Sequence, residues 1–127
     1  MPDVDAKTFI DALHRLEGDR DVDGIAQLFT PEAVISNPLV KKTDGPQGAA
    51  AFWGAYRKSF DEIRSEFSTV LEADGRIALE WRSTGTAKGQ DFAYEGVSIL
   101  EVGQGGVTAF RTYFDSAQLG RELTGQA

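Results

Sequence analysis

At Asp61 the apolar residues of this 127-residue chain change their spacing. Before that point they recur every three or four positions, as on one face of a helix; beyond it they alternate, as on a strand. In the first part Phe9, Ala12, Leu13 and Leu16 follow Asp5, a helix-capping residue, and Gly18 closes the segment. Val22, Ile25, Ala26 and Phe29 form a second short helical set, stopped by Thr30-Pro31. An extended piece over 33–38 precedes a third helix over 47–60, where Phe52, Trp53, Tyr56 and Phe60 share a face. After Asp61, Ile63, Phe67 and Leu71 oppose Arg64, Glu66 and Ser68, and Asp74-Gly75 is a hairpin signal. Three more strands read over 76–88, 91–102 and 107–115, separated by a turn centred on Gly89 and by Gly103-Gln104-Gly105-Gly106. Helices first and antiparallel strands after define an α+β fold, and nothing along 1–127 marks a second domain.

A chain of this length buries about two-thirds of its unfolded surface, so a core forms without a metal or disulfide staple. There is no cysteine, hence no disulfide and no thiol chemistry, and with His14 as the one histidine a zinc site would need several carboxylates. No metal and no cofactor is expected. The 13 Lys and Arg against 20 Asp and Glu give a net charge of −7, and no basic cluster exceeds Lys41-Lys42. Such a surface repels phosphate backbones, so nucleic acid is not an expected partner. The acidic start lacks the basic and apolar regions of a secretory signal, and no uncharged apolar run approaches the roughly 18 residues of a membrane span. A soluble cytoplasmic protein without membrane contact is the expectation.

The strand over 91–102 has no cleanly polar face: Phe92, Tyr94, Leu100 and Val102 lie on one side, Val97 and Ile99 on the other. A sheet covered on one face alone alternates apolar with polar. The helices can cover one face, and too little chain remains for the second. The expected cover is a second copy in a two-fold homodimer joined through the outer sheet face. There Glu80, Arg82, Arg111, Tyr113 and Asp115 offer both signs of charge and an aromatic ring.

The order of these elements, with several local strings, resembles the nuclear-transport-factor-two-like superfamily. That superfamily includes ketosteroid isomerases, limonene epoxide hydrolases and SnoaL-type polyketide cyclases. The strings are Ile25-Ala26-Gln27-Leu28-Phe29 with Pro31-Glu32-Ala33-Val34, Asn37-Pro38, Ala50-Ala51-Phe52-Trp53, and Gly105-Gly106-Val107 leading to Arg111-Thr112-Tyr113-Phe114-Asp115. Each is degenerate alone; their order and spacing carry the likeness, which runs from about Phe9 to Leu119. It implies a cone-shaped α+β barrel, with N-terminal helices packed on a strongly curved antiparallel sheet and a small molecule bound inside. Such a fold hosts many chemistries and does not fix one.

The resemblance also places the catalytic groups of the relatives. The ketosteroid isomerase base falls on Asn37, its oxyanion tyrosine on Phe9, the tyrosine supporting that one on Trp53, and its protonated aspartate on Val97. An amide cannot take a proton from carbon, and neither phenylalanine nor valine can donate a hydrogen bond to an enolate, so that mechanism is lost. The epoxide hydrolase arginine and two aspartates fall on Trp81, Ser83 and Thr112, while its asparagine is kept as Asn37. Asp115 is the aspartate nearest to that of the SnoaL-type cyclases, and alternation sets it opposite the pocket side.

With Trp81 and Phe114 inward, as the resemblance implies, alternation also sends Leu79, Ser83, Phe110 and Thr112 inward. Phe9, Trp53 and Tyr56 complete an apolar lining that carries a few hydroxyls. Taking Val97 as inward makes Glu95 and Ile99 inward as well, which sets one carboxylate among aromatic groups as a candidate general acid or base. Asn37 is the second polar candidate, a donor and acceptor in the pocket or a local turn residue.

Other patterns point away from chemistry. The string over 19–24 begins like a calcium loop, but its twelfth position is Thr30 where a bidentate Glu is required. The glycine run at 103–106 precedes a strand and lacks nucleotide-loop spacing. Ser83, Ser98 and Ser116 sit in no nucleophile elbow, and His14 is assigned no role beyond terminal carbonyls of its helix. Two readings stay open. One is a cofactor-free acid/base enzyme of the isomerase, cyclase, dehydratase or hydrolase type, acting on a compact apolar or amphipathic metabolite through Glu95 and Asn37. The other is a non-catalytic ligand-binding or dimerisation module of the same fold.

Overall fold

A computed structural model describes residues 4–37, 43–115 and 117, with the side chains of 43–47 left aside. Pro38, Lys41, Lys42, Ser116 and Leu119 lie outside the described residues.

Helix α1 (Ala6–Asp19) begins where Asp5 accepts from the Thr8 amide, and it ends with Arg20 in the left-handed region. Its buried stripe is Phe9, Ala12, Leu13, Leu16 and also Glu17. Helix α2 (Val22–Ala26) starts on Asp21, whose carboxylate accepts from the Gly24 amide at 3.0 Å. The string that begins like a calcium loop is thus a helix cap.

Phe29, expected at the end of that helix, instead opens strand β1 (Phe29–Ser36). The reason is not local. Phe29 pairs with Val107, whose amide donates to the Leu28 carbonyl at 2.8 Å. Pro31 is accommodated because this ladder is irregular between Phe29 and Val34, where a missing amide breaks no bond.

The two-residue strand β2 (Thr43–Asp44) leads into helix α3 (Gly45–Lys58). Four long strands follow: β3 (Glu62–Ala73), β4 (Arg76–Ala87), β5 (Gln90–Gly103) and β6 (Gly106–Phe114). The β3–β4 and β4–β5 turns carry positive φ at both central residues, 53° and 75° at Asp74-Gly75 and 52° and 79° at Lys88-Gly89. This backbone matches the twist of the flanking strands, and glycine adopts it without strain.

The sheet order is β2-β1-β6-β5-β4-β3. The long strands pair antiparallel, but β1 runs parallel to β6, so the sheet is mixed rather than wholly antiparallel, and β2 and β3 remain its open edges. Helices α1 and α3 pack on its inner face around Phe9, Leu16, Phe29, Trp53, Leu79 and Phe110.

Alternation on β4 and β6 runs as expected, with Leu79, Ser83, Phe110 and Thr112 buried. On β5 the phase is the reverse of the one implied by an inward Val97. Phe92, Tyr94, Ser98 and Leu100 are buried, while the Glu95 side chain is 71% exposed and paired with Arg82 at 3.8 Å. Val97 stands opposite Glu80 and Tyr113 on the outer face, and Ser98 stands opposite Leu79 and Thr112 on the inner one. A one-residue slip in register moves every side chain of a strand to the other face, and the larger apolar set of the even positions decides which face is buried. Glu95, Val97 and Ile99 are therefore outer-face residues. Leu71 is a second correction: the irregularity between Phe67 and Thr69 reverses parity, and Leu71 is 63% exposed.

Candidate functional site

Between α1, α3 and the concave face of the sheet lies a cavity of about 440 Å³. The helices contribute Phe9 and Leu13 from α1, and Phe52, Trp53 and Tyr56 from α3. The sheet contributes two kinds of group. Rings come from Phe67, Trp81, Tyr94, Phe110 and Phe114, and hydroxyls from Ser65, Ser83, Ser98 and Thr112.

The apolar wall is a set of edge-to-face rings, the arrangement that ring quadrupoles favour. Trp53 meets Phe52, Tyr56, Phe110 and Phe9 at centroid distances of 4.9, 5.6, 5.2 and 6.0 Å. Trp81 and Phe114 both pack on Tyr94, at 5.2 and 5.3 Å. Trp81 and Phe114 themselves are in tilted contact at 6.4 Å, and both line the cavity. The Trp53 Nε1 is buried and has no hydrogen-bond partner among the described residues.

The polar wall is built from cross-strand pairs. Ser65 and Ser83 are register partners on β3 and β4, and their hydroxyls meet at 2.6 Å. Ser98 and Thr112 are partners on β5 and β6 and meet at 2.8 Å, with Trp81 Nε1 donating to Ser98 Oγ at 2.9 Å.

Behind the first pair sits Glu17, 4% exposed, at the end of the buried stripe of α1. Its Oε1 accepts from the Ser65 amide at 2.9 Å, and its Oε2 accepts from Ser65 Oγ at 2.6 Å and from the Tyr56 hydroxyl at 2.8 Å. Arg57 holds the same corner. Its Nε donates to the Glu17 carbonyl at 3.1 Å, and its Nη1 donates to the Phe60 carbonyl at 2.9 Å. Burial lowers the Arg57 pKa from the usual guanidinium range. Burial, reinforced by the nearby Glu17 charge, raises the pKa of both Tyr56 and Tyr94, so each phenol keeps its proton at neutral pH.

Of the residues singled out in the sequence, Phe9, Asn37, Trp53, Tyr56, Trp81 and Ser83 line the cavity, as do Phe110, Thr112 and Phe114. Leu79 is fully buried in the core beneath it. Glu95, Val97 and Ile99 are not part of the site, because the β5 register turns them away. Asp115, on the exposed surface, accepts from the Ala117 amide.

The sequence reading missed Glu17, Ser65, Tyr94 and Ser98. Each carried a signal. Glu17 follows Leu13 by four, on the apolar stripe, and Ser65 falls between Ile63 and Phe67 in the buried phase of β3. Tyr94 and Ser98 share the phase of Phe92 and Leu100. His14, given no role beyond its own helix, reaches across it. Its Nε2 lies 3.0 Å from the Ser65 carbonyl, which can only accept, so Nε2 carries the proton.

The fold recurs in solved structures at low sequence identity. A nuclear-transport-factor-two-like protein of unknown function from Burkholderia pseudomallei superposes with a TM-score of 0.81 at 22% identity, over 93% of each chain. A protein with a ketosteroid isomerase-like fold from Catenulispora acidiphila, in complex with trimethylamine, gives 0.81 at 12% identity, over 94% of this chain and 93% of that one. An epoxide hydrolase of the limonene epoxide hydrolase-like type from M. tuberculosis gives 0.74 at 14% identity, over 95% and 92%. No curated protein matches the sequence. The sequence itself matches the SnoaL-like domain over residues 6–110, most of its length and all of the elements that enclose the cavity except the end of β6. The chain belongs to the SnoaL-like domain family.

Proposed function

We propose that this protein binds one compact, largely apolar small molecule with a polar end inside its cavity, without catalysing a reaction on it. The observation that carries this reading is the lining itself. Its volume of about 440 Å³ suits a small ligand, and its aromatic and hydroxyl walls suit an amphipathic one. Among the described lining residues there is no carboxylate, histidine, lysine or arginine, so no lining side chain is suited to act as a general base at neutral pH.

One arrangement favours a catalytic second reading. The Tyr56 hydroxyl lines the cavity and donates to Glu17, so a proton could pass from a bound molecule through the phenol to the buried carboxylate. The outer sheet face, with half-buried Val97 and Ile99 beside exposed Tyr113, supports pairing with a second copy.

Naphthalene is a suitable apolar probe, because Trp53 and Trp81 report on the cavity. Saturable one-to-one quenching of tryptophan emission is the expected result. An emission spectrum that naphthalene leaves unchanged up to its solubility overturns the binding reading. Turnover of any bound hydroxy compound that Tyr56→Phe abolishes would favour the catalytic one.

A further inference from the structure

We infer that Glu17 is a positioning residue that fixes the direction of the hydrogen bonds in the cavity wall, and that the wall therefore selects a ligand carrying a neutral hydroxyl, an alcohol or phenol, over one carrying a carbonyl. The role requires that the cavity bind a small molecule, as already proposed.

Each serine or threonine hydroxyl has one proton and two lone pairs. Ser65 Oγ donates to Glu17 Oε2, and the carboxylate is held in place from the other side by the Ser65 backbone amide, a donor that cannot be reversed. Having given its proton to Glu17, Ser65 can only accept from Ser83, so the 2.6 Å contact has Ser83 as donor. Tyr56 likewise gives its proton to Glu17.

The second pair is oriented in the same sense. Trp81 donates to Ser98, and Thr112 donates to the Val97 carbonyl at 3.3 Å, which leaves Ser98 as the donor to Thr112. Ser59 gives its proton to the Ala55 carbonyl. All five serine and threonine hydroxyls among the described lining residues therefore direct their protons into the protein and turn lone pairs toward the cavity. Tyr94, the register partner of Ser83, also lines the cavity and carries a phenol proton. A ligand hydroxyl can donate to the Ser83 or Tyr56 oxygen and accept from Tyr94. A ligand carbonyl can accept from Tyr94 or from Trp53 Nε1, but it has no proton to give and meets lone pairs at Ser83 and Tyr56, so it forgoes a bond that the hydroxyl makes.

The isosteric substitution Glu17→Gln reverses this wall. The amide oxygen must face the Ser65 backbone N–H, so its NH2 occupies the place of Oε2 and donates to Ser65 Oγ and to the Tyr56 oxygen. Ser65 then turns its proton to Ser83, and Ser83 and Tyr56 turn theirs into the cavity.

The test measures the affinities of 2-naphthol and 2-acetylnaphthalene for the full chain by calorimetry. The wild type is expected to prefer 2-naphthol, and Glu17→Gln is expected to shift the ratio of the two affinities toward the ketone by about tenfold. Comparing ratios removes the difference in probe size. Ser83→Ala, which deletes one acceptor and leaves Glu17 in place, should lower the same ratio, and it decides the matter if Glu17→Gln fails to fold. Binding of both probes with a ratio unchanged in a folded variant overturns the role of Glu17 and leaves the cavity reading intact. Binding of neither probe to the wild type overturns both.

Discussion

Tyr56, on α3, donates its phenol proton to Glu17 Oε2 on α1 across 2.8 Å, with Ser65 of β3 on the same oxygen. Three elements thus meet on one buried carboxylate, so its removal tests how much of the fold depends on it.

Glu17→Ala leaves the Ser65 amide, the Ser65 hydroxyl and the Tyr56 hydroxyl without their acceptor in a buried corner. A loss of about 3 kcal/mol in unfolding free energy is expected, from the desolvation of unpaired polar groups. Urea denaturation followed by circular dichroism measures it. Tyr56→Phe removes only one of the three donors and should lose about 1 kcal/mol.

High pH acts on the two buried phenols. The pKa values of Tyr56 and Tyr94 both lie above the ordinary value of 10.0, first because burial penalises tyrosinate and next because Glu17 is nearby. A raised folded-state pKa stabilises the fold fully below the unfolded-state value. That contribution is lost as pH rises above about 10 toward the folded values. Stability should fall over that interval, and in the folded protein Tyr94→Phe should not reduce the tyrosinate absorbance at about pH 11.

Gly96 lies between Trp81 on β4 and Phe114 on β6. A Cβ there would come within 2.5 Å of Trp81 Cζ2 and would also clash with the Tyr113 carbonyl oxygen. Gly96→Ala should displace the Trp81 ring into the cavity, with about 1–3 kcal/mol of destabilisation. A shifted tryptophan emission maximum and weaker naphthalene binding would report it; wild-type values for both would show that the ring has no such restriction.

Glu95 is a solvent-exposed partner of Arg82. Glu95→Gln should change stability by no more than about 0.5 kcal/mol and leave probe affinity at its wild-type value. A large loss of binding would return this carboxylate to the site.

The outer face is tested at Tyr113, 52% exposed in the single chain. If two copies join there, Tyr113→Asp places like charges against each other near the two-fold axis. Sedimentation equilibrium should then show a dimer for the wild type and a monomer for the variant.

Local sequence determined much of this molecule. The change of period at Asp61, the Asp5 cap and the Asp74-Gly75 turn each act over a few residues, so they can be read without knowing what packs on them. The same holds for the aromatic face of α3, which supplies Phe52, Trp53 and Tyr56 to the cavity. Alternation on β4 and β6 was legible too, once one residue on each strand was assigned a side.

Tertiary structure decided what depends on pairing between distant segments. The sequence of β5 carries apolar residues on both faces, with the larger set at the even positions, and its register with β4 and β6 turns Ser98 inward and Glu95 outward. Phe29 is helical by its spacing and a strand residue by its pairing with Val107, and Leu71 is lost to the surface through an irregularity in the β3 ladder. Glu17 shows the reason most directly. A carboxylate on an apolar helix stripe is a local inconsistency, and it becomes stable only when Ser65, 48 positions along the chain, and Tyr56, 39 along, bring their donors to it.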